Sequence, residues 1–168
     1  MFNVKELWEY CSAVRRGFIN KLVELPWEEV TKNREASFYS MRNIIIHMLD
    51  NEYWMVNYVV QGRSTEYNRE SADSYSNMKM ILERLNEVES KTKEFLDEAN
   101  EVDFKKKVTL VAHSGESFEL EVEECLLQSF TEQLYHMGEL IALMWQENIE
   151  PPKMAWFRNN PRQKKSMK

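Results

Sequence analysis

Hydrophobic positions in this chain recur mostly at steps of three and four. Leu7, Cys11, Val14, Phe18, Leu22 and Leu25 form the first such stripe, one face of an amphipathic helix, and Pro26 ends it. A second stripe, Ile44, Met48, Met55 and Val59, predicts a helix from about Ser37 to Gln61. Gly62 stands just past its end, where a helix C-terminus favours glycine. The polar stretch "GRSTEYNRESAD" leads to a third helix with Ile81, Leu85, Val88, Phe95 and Ala99 on one face. Asp73 or Ser74 is expected to cap it. The period then changes. Val108, Leu110 and Ala112 alternate with Thr109 and Val111, "HSG" interrupts the run, and Phe118 and Leu120 resume it. That pattern predicts a short hairpin. A fourth helix follows from about Glu121 to Gln146, carrying Val122, Cys125, Leu126, Ser129, Gln133, Leu140, Leu143 and Met144 inward. Pro151 and Pro152 close it, and Trp156 and Phe157 are expected to fold back onto the helices. Four amphipathic helices with one long excursion define an all-α bundle.

Composition narrows the class. A chain of 168 residues fits one domain and can bury a sizeable core; we place that domain at residues 1–157. With 4 Gly and 4 Pro, it is too poor in turn residues for a β-sandwich. No run approaches a membrane span, and "MFNVKELWEYC" lacks the basic start and apolar block of a signal peptide. Both cysteines fall on apolar stripes, as reduced core thiols do, which points to a cytoplasmic protein.

The charge is uneven. From Arg158 to Lys168 there are five cations and no anions, so the formal charge of −6 leaves −11 on the other 157 residues. An acidic body disfavours nucleic acid as a partner. The basic segment 158–168 reads as a solubilising tail.

Three polar residues lie on apolar stripes. His47 shares the face of Ile44 and Trp54, while Glu132 and His136 stand one turn apart on the fourth helix in "FTEQLYHMGEL". Two imidazoles and a carboxylate make a three-ligand set suited to Zn, Ni or Fe(II), with positions left open. A buried acid–imidazole pair is the simpler alternative, and ExxxH is a weak signal. Asp50, three residues after His47, is expected to face solvent. A dinuclear carboxylate site would need further inward glutamates; helix one has none, and Glu83, Glu87, Glu89 and Glu94 fall mostly off the apolar face of the third helix. Cys125 lies about 16 Å along the helix from His136, too far for a Cys–His couple. His113 sits at the turn "AHSGES" and reads as a solvated loop residue.

Three stretches carry a resemblance. "IIIHMLDNEYWMVNYVVQG" is similar to a second-helix pattern of His, acid and Trp. "SGESFELEVEECLLQSFTEQLYHMGELIALMWQ" resembles a Gly-x-x-aromatic turn leading into a long helix with an HxxxHxGQ motif. "NIEPPKMAWF" looks like the proline-containing exit. In this order they resemble the DinB-like family, also known as the YfiT-like metal-dependent hydrolases, over about residues 37–157. The resemblance implies an antiparallel four-helix bundle with a short hairpin or loop before the last helix. It also implies a divalent metal held at His47, Glu132 and His136. Glu132 departs from the pattern, standing where a His is usual, and Met137 and Glu139 replace Arg and Gln around Gly138. A Glu ligand adds negative charge, which strengthens cation binding and weakens Lewis acidity; loss of the metal is the other consequence of the departure. Gly138, costing about 1 kcal/mol in a helix, implies tight helix contact or open space beside the metal.

Relatives of this kind imply a hydrolase or a thiol-dependent transferase acting on a small molecule, with a low-molecular-weight thiol as co-substrate, and a homodimer. The contrasting reading is a non-catalytic binding or dimerisation protein with a degenerate, metal-free site. No nucleic acid or membrane partner is expected.

Overall fold

The helical stripes become helices with shifted ends. The computed structural model describes residues 4–112 and 114–159, which are mostly helical with one small antiparallel sheet. In chain order the elements are α1 Val4–Val23, α2 Trp27–Thr31, α3 Met41–Asn57, α4 Met78–Glu98, α5 Glu101–Phe104, β1 Lys107–Val111, β2 Ser117–Glu121, α6 Val122–Gln146 and α7 Trp156–Asn159. Three 3-10 turns, Val59–Gln61, Ser64–Glu66 and Ala72–Ser74, occupy the polar connection after α3.

Two compact units emerge. The first takes the described parts of Met1–Ile45 and Gln133–Lys168, the second Ile46–Glu132. Helices α3 and α6 run unbroken through the division and contribute to both.

In the first unit, α1 buries Leu7, Cys11, Val14, Phe18 and Leu22, the stripe read from the sequence. Leu25 lies beyond the helix end, and Pro26 begins the short α2. The turn before α3 was expected to be helical from Ser37. Instead Glu35 and Tyr39 adopt positive φ of 56° and 68°, which breaks a right-handed helix. Helix α3 therefore starts at Met41, with the Ser40 hydroxyl accepting the Asn43 amide at 3.2 Å as an N-cap does. At the other end of this unit Trp156 packs on Tyr10 with ring centroids 4.9 Å apart, and the Tyr10 hydroxyl donates to the Met154 carbonyl. Phe157 does not fold back; it is 65% exposed.

In the second unit, α4 begins later than expected. Asp73 and Ser74 belong to the 3-10 turn capped by Ser71, and Asn77 is the N-cap, accepting the Met80 amide at 3.1 Å. Its buried face is Ile81, Leu85, Val88, Thr92 and Leu96, while Phe95 and Ala99 are only half-buried. The hairpin pairs Val108 with Leu120 and Leu110 with Phe118. Its inner side chains cover a core of Trp54, Met55, Val59, Leu110 and Cys125. Helix α3 ends at Asn57 rather than at Gln61, and Gly62, with a φ of 72° and its amide donating to the Val59 carbonyl at 2.9 Å, is the left-handed cap of the 3-10 turn Val59–Gln61 that follows.

Among the described residues no helix is long and apolar enough to cross a membrane. His113 and residues 160–168 of the basic tail lie outside the described residues.

Candidate metal centre

The period of α3 sets His47 and Asn51 one turn apart on one face. Both reach the same carboxylate on α6. His47 Nε2 lies 3.1 Å from Glu132 Oε1, and Asn51 Nδ2 donates to Glu132 Oε2 at 3.0 Å. The side chains of His47 and Glu132 are 12% and 27% exposed, so the carboxylate is held from one side and open to solvent on another. One turn further along α6 stands His136, which is buried. His47, Glu132 and His136 each offer one ligand atom, and these atoms lie within 4.8 Å of one another.

The donor chemistry fits a divalent cation. Ligands about 2.0–2.2 Å from one ion lie roughly 3–3.5 Å from each other at tetrahedral or cis-octahedral angles. The His47–Glu132 separation of 3.1 Å already lies in that range, and separations of up to 4.8 Å within the trio would have to close for all three to share one ion. The same pair also serves, unchanged, as an acid–imidazole hydrogen bond. Among the described residues no other group of three His, Cys, Asp or Glu side chains converges in this way.

Around His136 a second layer of contacts forms. Its Nδ1 lies 3.3 Å from Glu139 Oε2, one turn on. Glu139 in turn accepts the Ser37 amide and the Ser37 hydroxyl, each at 2.8 Å. The Phe38 ring meets the His136 ring edge-on at 5.3 Å. Burial opposes the Glu139 charge, but the Ser37 donors and His136 outweigh it and hold the carboxyl below the usual glutamate value. The sequence placed Glu139 at a position of departure from the motif; the Ser37 contact, 102 residues away, had no local signal.

Gly138 resolves toward open space. A Cβ built there meets nothing within 4 Å among the described residues. Gly138→Ala should therefore raise stability by about 0.5–1 kcal/mol, the helical gain of Ala over Gly, as read by urea unfolding. A fall in stability would mean that the helix needs glycine for its backbone geometry.

Asp50 corrects the sequence reading. It is 1% exposed rather than solvent-facing, and it pairs with Arg84 Nη2 at 3.0 Å. Arg84 also reaches Glu87 at 2.8 Å, lies 3.2 Å from the Tyr67 hydroxyl, and stacks over the Tyr53 ring at 4.1 Å. Tyr53, Tyr58, Tyr67, Tyr75 and Arg84 line an open cleft of about 470 Å³. Burial pushes the Tyr75 hydroxyl up to about 12. None of this was read from the sequence, because the contacts that bury Asp50 and build the cleft join α4 to α3 or to the connection between them; only Arg84–Glu87 is local to α4. Glu89 is also buried, against expectation, yet it joins no second ligand cluster. Burial pushes the Cys125 thiol up to about 11, so it is protonated at neutral pH and a poor nucleophile.

A mainly helical protein in which two neighbouring helix faces supply a His/Glu/His group able to hold a metal ion defines the class. The chain belongs to the DinB family, whose family model matches residues 1–165. No curated protein matches the sequence.

Proposed function

We propose that His47, Glu132 and His136 hold one divalent cation (Zn, Ni, Fe or Mn) and that the protein is a metal-dependent enzyme acting on a small molecule. Hydrolysis and thiol-dependent transfer are the two reaction classes, the latter using a low-molecular-weight thiol as co-substrate. The observation that supports this best is the approach of three ligand atoms from two helices within 4.8 Å. When bound, such an ion supplies Lewis acidity and eases deprotonation of a water or thiol. The chain's own residues supply the rest. Glu132 contributes the one formal negative charge among the three ligands, which favours a cation. Asn51 restrains its carboxylate, and the partial exposure of Glu132 leaves an approach for substrate. The frame proposed for the site is an antiparallel four-helix bundle, working as a homodimer in the cytoplasm; the family match and the four long helices support the bundle.

A second reading has its own observation. Glu132 already accepts from Asn51 and meets His47, so it needs no cation to be satisfied. In that case the trio is structural and the protein is a non-catalytic binding or dimerisation module. Elemental analysis after chelator-free purification, followed by metal titration, separates the two. The catalytic reading expects about one divalent ion per chain and a rise in melting temperature on adding metal. The structural reading expects less than a tenth of an equivalent, no uptake, and a His136→Ala variant that loses stability without any change in metal response.

A further inference from the structure

We infer that Glu139 is a positioning residue: it accepts the Nδ1–H of His136 and so fixes the ring tautomer that offers Nε2 as the ligand atom. This deepens the metal reading above and rests on it for its purpose, though not for its geometry.

Three observations carry the inference. The first is the contact itself, His136 Nδ1 to Glu139 Oε2 at 3.3 Å. A carboxylate can only accept, so the nitrogen facing it must carry a proton, and in the neutral ring, the form that binds a metal, Nε2 is then the unprotonated one. Free histidine in water prefers the opposite tautomer, with the proton on Nε2, so the protein must act to reverse that preference. The second is that Glu139 is itself held, with both oxygens engaged by Ser37 at 2.8 Å. A carboxylate fixed by a backbone amide and a hydroxyl cannot swing away from the ring at the small cost that a free side chain would meet.

The third observation is the construction of the turn that delivers Ser37. The Arg34 amide donates to the Tyr39 carbonyl at 2.6 Å, and the Tyr39 amide donates to the Ala36 carbonyl at 2.9 Å. The Arg34 side chain, 4% exposed, pairs with Glu29 at 2.8 Å and Glu147 at 3.5 Å. Glu35 and Tyr39 accept left-handed backbone within the same turn, a strained conformation that persists where surrounding contacts enforce it. The result places Ser37 on Glu139 and Phe38 against the His136 ring in consecutive residues. Metal-binding histidines characteristically give their second N–H to a carboxylate or carbonyl, and removing that partner costs roughly 10–100-fold in affinity. Glu139 has the chemistry and the placement of such a partner.

The test uses the full chain, stripped of metal and labelled with ¹⁵N, in wild type, Glu139→Ala and Glu139→Gln. Long-range proton–nitrogen correlation spectra read the tautomer of His136 directly, and Zn²⁺ titration against a competing chelator reads affinity. Wild type should show the Nδ1–H form. Glu139→Ala should move His136 toward the Nε2–H form and weaken Zn²⁺ binding roughly 10–100-fold. Glu139→Gln keeps an amide oxygen that can accept from Nδ1–H, so it should restore the wild-type tautomer and most of the affinity. Loss of folding alone would not produce that rescue. An Nδ1–H form that persists in Glu139→Ala, or Zn²⁺ affinity within twofold of wild type, overturns the positioning role. Wild-type protein that takes up no Zn²⁺ while Glu139→Ala still shifts the tautomer overturns the metal reading and upholds the positioning one.

Discussion

Replacing His47 with alanine is expected to weaken divalent-metal binding by about 100-fold or more, with a much smaller effect on the apo protein. The proposed site has three candidate ligands, and of these His47 alone comes from α3. Loss of a supporting contact to a ligand already costs about 10–100-fold, so loss of a ligand should cost at least the top of that range. The fold should withstand the change. His47 is at the rim of the site rather than in its apolar core, and Asn51 keeps its own contact to Glu132. Metal-linked stabilisation gives a second readout, since a ligand at one hundred times its Kd stabilises by about 2.7 kcal/mol. Wild type should gain that increment on adding Zn²⁺, and the variant should lose most of it at the same concentration. Equal affinities for the two proteins would mean that any bound metal sits elsewhere.

The second large effect lies away from the site. Arg84→Met should destabilise the protein by about 3 kcal/mol at pH 7, because it removes the cation paired with the buried Asp50 carboxylate and leaves it only the Tyr67 hydroxyl and the charge of Arg69. Burial raises the Asp50 carboxyl above its ordinary value of 3.8, and Arg84 pulls it the other way. A carboxyl whose folded value lies above the unfolded one is most favourable to folding below the unfolded value, and that contribution is lost as pH rises through the folded value. Removing Arg84 moves the folded value higher still. The deficit of the variant should therefore shrink as the pH is lowered from 7 toward 5, since Asp50 can then protonate inside the fold. Adding Asp50→Asn to Arg84→Met should recover part of the loss at pH 7 and remove most of the pH dependence. Urea unfolding of the three proteins at both pH values checks this. A deficit unchanged by pH and unrelieved by Asp50→Asn would mean that Arg84 acts through its packing on Tyr53 alone.

What the sequence could and could not reveal follows from the range of each interaction. Helices α1, α3, α4 and α6 announced themselves through apolar residues repeated every turn, and Gly62 marked a left-handed stop, although of the 3-10 turn after α3 rather than of α3 itself. The trio was less legible. Glu132 and His136 were visible as a one-turn pair, but nothing in the periodicity tied them to His47, 85 residues earlier; the family pattern supplied that link. Asp50 was misjudged because its partner Arg84 is 34 residues distant and on another helix. Glu139 was noticed only as a departure from a motif, since Ser37 comes from a turn with no periodic signal. The late start of α4 was missed for a local reason. Ser71, Ser74 and Asn77 all have capping side chains, and the structure uses Ser71 for a 3-10 turn and Asn77 for the helix.

If His47, Glu132 and His136 share one cation, the ion must lie between α3 and α6 within bonding distance of all three. Anomalous diffraction from crystals grown without chelators and with Zn²⁺ supplied locates such an ion directly. An anomalous peak is expected within about 2.0–2.2 Å of a nitrogen of His47, a nitrogen of His136 and an oxygen of Glu132. No peak at that position, with His47 still hydrogen-bonded to Glu132, would contradict a cation shared by the three residues.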